Sequence, residues 1–431
     1  MNIRTIKKAS LARTLDEVRR EQMTSTTVES SVRTILAEVK KNGDAALRAF
    51  TKKFDGAVIK SFAVTRREIR EAYKAESKDV IRALRFAKKN IERFHKTTVT
   101  LQEKRVTTEK GVTVWREFRP IERVGLYIPG GKAAYPSTVL MLAVPATIAG
   151  CKEIVLCVPP DKQGKVPSAV LVAADMCGIS KIFKVGAAQA IAAMADGTKS
   201  IPQVSKIFGP GNQYVTSAKM QLYGQVDIDS PAGPSEVLVF VDNSARADWI
   251  AADLLSQLEH GEDSQAILVT YSRSFVKKVL REVEAQTKDL RRRDIVRQSL
   301  KKSFCIIVDS FATAISFING YAPEHLEIVL KKDEKRALKT ITNAGSIFLG
   351  PYTSEPLGDY ATGANHTLPT SGYAKMFSPV SAESFGKKLQ VQIVTKEGIR
   401  NLQKTVETLA EREGLDAHKR AVTIRFKPKV W

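Results

Sequence analysis

Two side chains that can bind a metal stand three positions apart in the segment LLSQLEHGEDSQ. They are Gln257 and His260, and the segment has the pattern of a helix end, so both would lie on one face. The chain contains only five histidines, so an imidazole near an amide is a candidate for metal binding. A histidine before Gly261 could equally cap the helix C-terminus, and the spacing leaves both interpretations open.

A carboxylate and an imidazole are adjacent in the segment YAPEHLEIVL. They are Glu324 and His325, and Pro323 before them predicts a helix whose first turn would carry both side chains. Such a pair suits general acid–base chemistry. A solvated pair that only caps the helix is the alternative interpretation.

The polar, glycine-rich segment PLGDYATGANHTLPTSGY contains Asp359 and His366 and is predicted to be a functional loop. His418, in REGLDAHKRAV, would on its own be interpreted as a surface histidine. Together with Gln257 and His260, Asp359 and His418 provide nitrogen and oxygen ligands suited to Zn²⁺ or another first-row divalent ion. These residues are scattered along the chain, so their spacing alone does not define a site.

The elements that must position these residues change in character at Val124. From there, short apolar runs alternate with helical stretches, which predicts a parallel sheet with crossover connections. The runs are VGLYI (124–128), EIVLCV (153–158), KIFKV (181–185), KIFG (206–209), VDID (226–229), EVLVFV (236–241), AILVTY (266–271), FCIIV (304–308) and SIFLG (345–349).

Four loops rich in glycine, proline or alanine follow predicted strands: YIPGGKAAYP (127–136), VGAAQA (185–190), FGPGN (208–212) and DSPAGPSE (229–236). Because ligands of open α/β sheets bind at the carboxyl ends of strands, we expect these loops to form a binding site.

Residues 1–120 are predicted to be mostly helical, with His95 as a structural residue at the end of an apolar stripe. From about Phe385 the chain becomes polar and helical again, and it ends in a strand-like segment at 422–426. These two ends would be arms that flank an α/β middle.

The chain carries a formal net charge of +22, and its first 120 residues hold 29 basic and 15 acidic side chains. These charges fall on amphipathic helices without interleaved aromatic residues, so nucleic-acid binding is not expected. We find no apolar run long enough to span a membrane and no secretory signal.

The four cysteines, Cys151, Cys157, Cys177 and Cys305, show no CxxC spacing. We interpret them as buried, unreactive thiols, which suits the reducing cytoplasm.

Eight motifs, in order between about residues 120 and 425, resemble the histidinol dehydrogenase family. They are RVGLYIPGGKAAYPSTVLM, KVGAAQAIAAMADGT, KIFGPGNQYVTSAK, DSPAGPSEVLV, DLLSQLEHGEDSQAILVT, APEHLE, GDYATGANHTLPT and EGLDAHKRAVT. Two features depart from the family: Ala187 stands where a second glycine is usual, and the positive charge is unexpectedly high.

The resemblance implies a fold as well as a reaction. The fold would be α/β: two incomplete Rossmann-like domains with parallel sheets plus helical N- and C-terminal arms, in a domain-exchanged homodimer. We expect an N-terminal arm at 1–22, a first α/β domain from 23–123 and 239–380, a second Rossmann-like domain at 124–238, and a C-terminal arm at 381–431 that docks on the partner subunit.

The resemblance also implies roles for individual residues. Zinc would be bound by Gln257, His260 and Asp359 of one subunit and His418 of the other, and Glu324 and His325 would be the acid–base pair. NAD would contact Tyr127, Gln189 and Asn212. L-Histidinol would contact Ser235, Gln257, His260, His325, Asp359, His366, Glu413 and His418.

The reaction implied is oxidation of L-histidinol to L-histidine through the aldehyde, with two NAD used in sequence. A thiol ester route is rejected, because it would need a catalytic cysteine and no cysteine lies in these motifs. A basic nucleic-acid-binding protein, a relative acting on another amino alcohol and an inactive scaffold are the alternatives; the intact acid–base pair and metal ligands argue against the scaffold.

Overall fold

The computed structural model describes residues 1–19, 26–130, 134–231 and 233–426. The predicted loops at 127–136 and 229–236, and both predicted arms, therefore lie partly outside the described residues. The strands are β1 (Asn2–Ile6), β2 (Val106–Glu109), β3 (Val112–Pro120), β4 (Arg123–Tyr127), β5 (Glu153–Val158), β6 (Lys181–Lys184), β7 (Lys206–Phe208), β8 (Asp227–Ile228), β9 (Glu236–Val241), β10 (Gln265–Thr270), β11 (Phe304–Val308), β12 (His325–Val329), β13 (Ser346–Leu349) and β14 (Gly386–Val394).

Helices connect most of the strands. They are α1 (Leu11–Val18), α2 (Thr26–Asn42), α3 (Asp44–Phe54), α4 (Arg66–Ala75), α5 (Lys78–His95), α6 (Pro136–Ala149), α7 (Ser168–Met176), α8 (Ala187–Asp196), α9 (Gln213–Leu222), α10 (Ala247–Leu258), α11 (Arg273–Thr287), α12 (Arg293–Lys301), α13 (Phe311–Tyr321), α14 (Glu334–Thr340), α15 (Glu355–Tyr360), α16 (Lys396–Arg412) and α17 (Asp416–Thr423).

The chain forms two compact units. The first contains residues 1–98 and 121–385, and the second contains residues 99–120 and those from 386 onward. The domain boundaries proposed from the sequence stay a prediction.

The first unit contains two parallel sheets with the same strand order. One runs β6-β5-β4-β7-β8 and the other β1-β11-β10-β9-β12-β13. In both, a chain-order 3-2-1-4-5 pattern reverses direction once, as in doubly wound α/β folds, and β1 extends the second sheet. The predicted parallel α/β architecture is confirmed.

Continuous, mostly apolar strands form the core of the six-stranded sheet. Residues 236–241 and 304–308 are buried throughout, which is expected when helices cover both faces of a parallel sheet. Proline and glycine delimit α7: Pro167 is its N-cap, and Gly178, with φ +76°, lies just past its end.

The helix predicted at Glu324 and His325 is wrong. His325 is the first residue of β12, which pairs with β9 on one side and β13 on the other. Its five residues, HLEIV, are all buried, so the central position in the sheet overrides the helix-starting tendency of Pro323.

The chain ends also differ from the prediction. Residues 2–6 form a strand paired with β11 rather than a helix, because their partner lies about 300 positions away and leaves no local signal. The strand predicted at 422–426 is instead the end of α17 and a 3₁₀ turn.

The second unit is built on an antiparallel sheet in the order β14-β3-β2, followed by α16 and α17. Residues 386–394, predicted to be helical, therefore form a strand. No helix in the described parts of the chain is both long and apolar enough to cross a membrane.

Candidate active site

The acid–base pair lies at the amino end of β12. Glu324 and His325 are 5% and 3% exposed, so neither is the solvated capping pair considered from the sequence. Glu324 Oε2 accepts a hydrogen bond from the backbone N–H of Glu236 at 2.8 Å, and His325 Nδ1 lies 3.1 Å from the carbonyl oxygen of Glu236. Both reacting side chains are therefore held by the first residue of β9.

The contact at Nδ1 fixes the proton arrangement of His325. A carbonyl oxygen can only accept, so Nδ1 carries a proton and donates it. Nε2 is then the proton-accepting nitrogen of the neutral ring; it is buried without a hydrogen-bond partner in the described residues and lies 3.8 Å from Asp359 Oδ1. Once Nε2 has lost its proton, an imidazole in this tautomer can act as a base.

The electrostatic setting shifts both members of the pair. Burial raises the pKa of Glu324 to about 8, although His325 nearby acts in the opposite direction. Burial lowers the pKa of His325, but Glu324 and Asp359 outweigh it and hold that pKa well above its usual value. Titratable groups perturbed in this way are typical of active sites.

The last turn of α10 and the residues after it carry Gln257 and His260. Gln257 is fully buried, and neither atom of its amide has a hydrogen-bond partner in the described residues. Buried amides are ordinarily hydrogen-bonded, so this side chain has the character of one that coordinates a ligand.

Three side chains from separate parts of the chain come together as a group that could hold a cation, here called the cation-binding group. Ligand atoms of His260, Glu355 and Asp359 all lie within 4.8 Å of one another. Burial raises the pKa of Asp359, but His325 and His366 outweigh it and hold the value at about 2, so the carboxylate is ionised. A nitrogen and two carboxylates fit Zn²⁺ or a similar divalent ion.

Glu355 is absent from the sequence-derived site. It precedes Asp359 by one helical turn in α15 and is 1% exposed. Its Oε2 accepts from Ser256 Oγ at 3.0 Å, and its backbone N–H donates to Glu327 Oε1 at 2.8 Å. The i, i+4 spacing of the two carboxylates in SEPLGDY was the available signal.

The loop predicted for this polar segment is wrong for Asp359, which lies in helix α15. The residues after Tyr360 do form a loop, and it places His366 beside Asp359. His366 Nδ1 lies 3.1 Å from the backbone oxygen of Asp359, and Nε2 lies 3.1 Å from Thr138 Oγ1. Ser235 directly precedes β9 and is half-buried; its carbonyl accepts from the backbone N–H of Gln265.

The three residues expected to contact NAD lie at the carboxyl edge of the five-stranded sheet. Tyr127 ends β4, Gln189 lies in α8 after β6, and Asn212 is the N-cap of α9 after β7. Gln189 is fully buried with both amide atoms unpartnered in the described residues, and Tyr127 Oη accepts from the backbone N–H of Ala187 at 3.1 Å. This edge between β4 and β7 is where the strand order reverses, the usual ligand position in such sheets.

A cavity of about 370 Å³ opens beside His260. Its lining includes Leu84, Tyr135, Arg292 and Tyr360. A space of this size takes a small organic molecule.

Glu413 and His418 belong to the second unit. Glu413 is the C-cap of α16 and His418 lies in α17, and both side chains are exposed. Their assignment to the substrate and metal site stays a prediction.

All four cysteines are free. Cys157 and Cys305 are buried as predicted, whereas Cys151 and Cys177 are only half-buried, contrary to the prediction. Burial raises the pKa of the thiols of Cys151, Cys177 and Cys305 to about 12, and raises that of Cys157 as well. None of them has the lowered pKa that a catalytic thiolate needs.

Comparison with known proteins agrees with this geometry. Residues 18–426 match the family model described as histidinol dehydrogenase. The chain belongs to the histidinol dehydrogenase family. Histidinol dehydrogenase from Bacteroides fragilis is 52% identical over 398 residues, covering 92% of each chain, and the one from Bacteroides thetaiotaomicron is 48% identical over 98% of this chain and 99% of its own.

A solved structure extends the likeness to three dimensions. The crystal structure of histidinol dehydrogenase from Elizabethkingia anophelis has a TM-score of 0.94 and 46% identity, covering 99% of this chain and 98% of that chain. As a member of the histidinol dehydrogenase family, the chain is an oxidoreductase.

Proposed function

We propose that the chain oxidises L-histidinol to L-histidine through L-histidinaldehyde, with two NAD and one zinc ion per subunit. This is the last step of histidine biosynthesis, and we place it in the cytoplasm, in a homodimer. The observation that carries the proposal is a buried acid–base pair whose His325 Nε2 lies 3.8 Å from Asp359, a member of the cation-binding group.

Gln257, His260 and Asp359, with His418 of the partner subunit, would hold the zinc. The unpartnered amide of Gln257 and the close approach of His260 and Asp359 support this set. Zinc bound here would orient the imidazole and amino group of the substrate.

His325 would remove the hydroxyl proton of histidinol through Nε2, since Nδ1 already donates to the Glu236 carbonyl. Tyr127, Gln189 and Asn212 would bind NAD, which accepts a hydride in each of the two oxidations. His366 and Ser235 would contact the substrate.

Glu324 would activate the water that attacks the aldehyde. Its carboxylate is oriented by the Glu236 N–H at 2.8 Å, and burial makes it a stronger base than an exposed carboxylate. The raised pKa of the thiols supports a route through water rather than through a thiol ester.

The test is NADH formation from L-histidinol, with the histidine product quantified in the same sample. We expect two NADH per histidine, loss of turnover after chelation, and recovery when zinc is returned. A related amino alcohol serves as the control for specificity. Full activity in a metal-free sample, or no oxidation of L-histidinol by the zinc-loaded protein, would contradict the proposal.

A further inference from the structure

Glu236 has a buried carboxylate to which the proposed reaction assigns no role. It is the first residue of β9 and is 1% exposed. Burying a carboxylate is costly unless several donors satisfy it, so its contacts indicate what it is for.

The carboxylate of Glu236 contacts two loops of the active site, one that leads into Glu324 and one that contains Ser371. Oε1 accepts from the backbone N–H of Glu324 at 3.3 Å and from that of Ser371 at 3.0 Å. Oε2 lies 3.0 Å from the hydroxyl of Tyr321, which also lies 2.6 Å from Gln265 Oε1.

Each of these two loops contains a residue other than glycine in the left-handed backbone conformation. Ala322, two residues before Glu324, has φ +58°, and Ser371 has φ +54°. Side chains with a Cβ rarely adopt this left-handed conformation, and it persists where the surroundings enforce it. The two N–H contacts to Glu236 Oε1 provide such a constraint on each loop.

The backbone of Glu236 completes the arrangement. Its N–H donates to Glu324 Oε2 and its carbonyl accepts from His325 Nδ1. One residue therefore contacts both members of the acid–base pair and also fixes the backbone that delivers Glu324.

We propose that Glu236 is the positioning residue of the acid–base pair: its carboxylate clamps the loops at Glu324 and Ser371, and its peptide groups orient Glu324 and His325. This rests on the proposed function only for its effect on turnover. The clamp consists of the hydrogen bonds from the N–H groups of Glu324 and Ser371 to one oxygen of the Glu236 side chain. It requires an acceptor atom that reaches both N–H groups, and it does not require a negative charge on that atom.

Two conservative variants of Glu236 distinguish the effect of side-chain length from the effect of negative charge. Glu236→Asp keeps the charge but is one methylene shorter, so its carboxylate cannot reach both loops from the same backbone. Glu236→Gln keeps the length: its amide oxygen can accept from both N–H groups while its NH₂ donates to the Tyr321 hydroxyl.

We expect Glu236→Asp to lower kcat for L-histidinol by about tenfold or more, with KM and zinc content within about twofold, because small misplacements of reacting groups are costly. Glu236→Gln should retain most of the turnover. The reverse order, or an unchanged kcat in the Asp variant, would overturn the proposal.

Amide hydrogen exchange of the peptides containing Glu324 and Ser371 provides a readout that needs no activity. Exchange there should be about tenfold faster in Glu236→Asp and unchanged in Glu236→Gln, since exchange reports local opening. Equal exchange in both variants would overturn the clamp even if the enzyme proves to have another substrate. An inactive wild-type protein would count against the proposed function alone.

Discussion

His95 is a buried histidine that we expect to make the stability of the fold depend on pH. It ends α5, is fully buried, and neither ring nitrogen has a hydrogen-bond partner in the described residues. Burial therefore lowers the pKa of His95 from 6.5 to about 4. The structural role predicted for this residue agrees with its position, since its ring packs edge-on against Phe94.

The imidazole of His95 binds a proton more readily in the unfolded chain than in the folded one. The free energy of unfolding therefore has its full value above pH 6.5 and decreases as the pH falls from 6.5 toward 4. The loss amounts to about 3 kcal/mol at most. We expect His95→Phe to weaken this acid dependence relative to wild type in urea unfolding at pH 7 and pH 4.5. Parallel losses of unfolding free energy in the two proteins would contradict the interpretation.

Ala187 has a strained backbone at a position where the family resemblance implies glycine. Its φ is +50°, a conformation that costs a residue with a Cβ about 1–2 kcal/mol. Ala187→Gly should therefore raise the unfolding free energy by about 0.5–1 kcal/mol, after the larger entropy of unfolded glycine is deducted. Chemical denaturation measures this.

Ala192→Gly is the matched control, because Ala192 lies in the middle of the same helix, α8. A glycine there should lower the unfolding free energy by about 1 kcal/mol. If both variants are destabilised alike, the left-handed conformation of Ala187 carries no strain.

At the scale of elements, a buried ion pair holds the loop between β7 and α9. Lys219 and Asp229 are at most 1% exposed and contact each other directly. Lys219 Nζ also donates to the carbonyl of Gly209 at 3.1 Å, and Asp229 accepts from its N–H at 2.7 Å. Gly209, with φ +126°, has no room for a Cβ, which would lie 2.0 Å from the Tyr127 carbonyl oxygen.

Lys219→Met should destabilise the protein by about 3–5 kcal/mol, because it leaves the buried carboxylate of Asp229 without its cation. The double variant Lys219→Met/Asp229→Asn should be less destabilised than the single one, since asparagine is neutral and still accepts from Gly209. Urea unfolding compares both single variants, Lys219→Met and Asp229→Asn, with the double variant. A double variant as unstable as the sum of both single changes would show that the pair is not coupled.

The sequence predicted elements well where apolar runs were continuous and local. All nine of the apolar runs named above correspond to strands. It failed where the partner was distant: β1 pairs with β11, and β12 is a strand only because β9 and β13 flank it.

The same limit applies to the site. Gln257, His260 and Asp359 were predicted as metal ligands because their side chains are of types that bind divalent metals and because their motifs resemble the family. Glu236 and Glu355 were missed because their roles arise from contacts across the fold, such as the bond from Glu236 N–H to Glu324, 88 positions away.

At the scale of the whole molecule, the predicted exchange between subunits gives a quantitative test. Glu413 and His418 are exposed on the second unit, and we propose that they complete the site of a partner subunit. Asp359→Ala and His418→Ala homodimers should each be inactive. Unfolding and refolding them together should restore about a quarter of wild-type activity, since half of the dimers are mixed and half of their sites are intact.

Refolded wild-type protein is the control for recovery. If mixed dimers form and no activity returns, His418 acts within its own subunit or not at all.

The measurement that tests the account most directly compares the two half-reactions in Glu324→Gln. L-Histidinol oxidation in a single turnover reports the first step, and oxidation of L-histidinaldehyde reports the second. The account predicts that the aldehyde step falls by about 10²–10⁴ while the alcohol step changes little, whereas His325→Ala damages both. Equal losses in the two steps for Glu324→Gln would contradict the assignment of Glu324 to the water-dependent step.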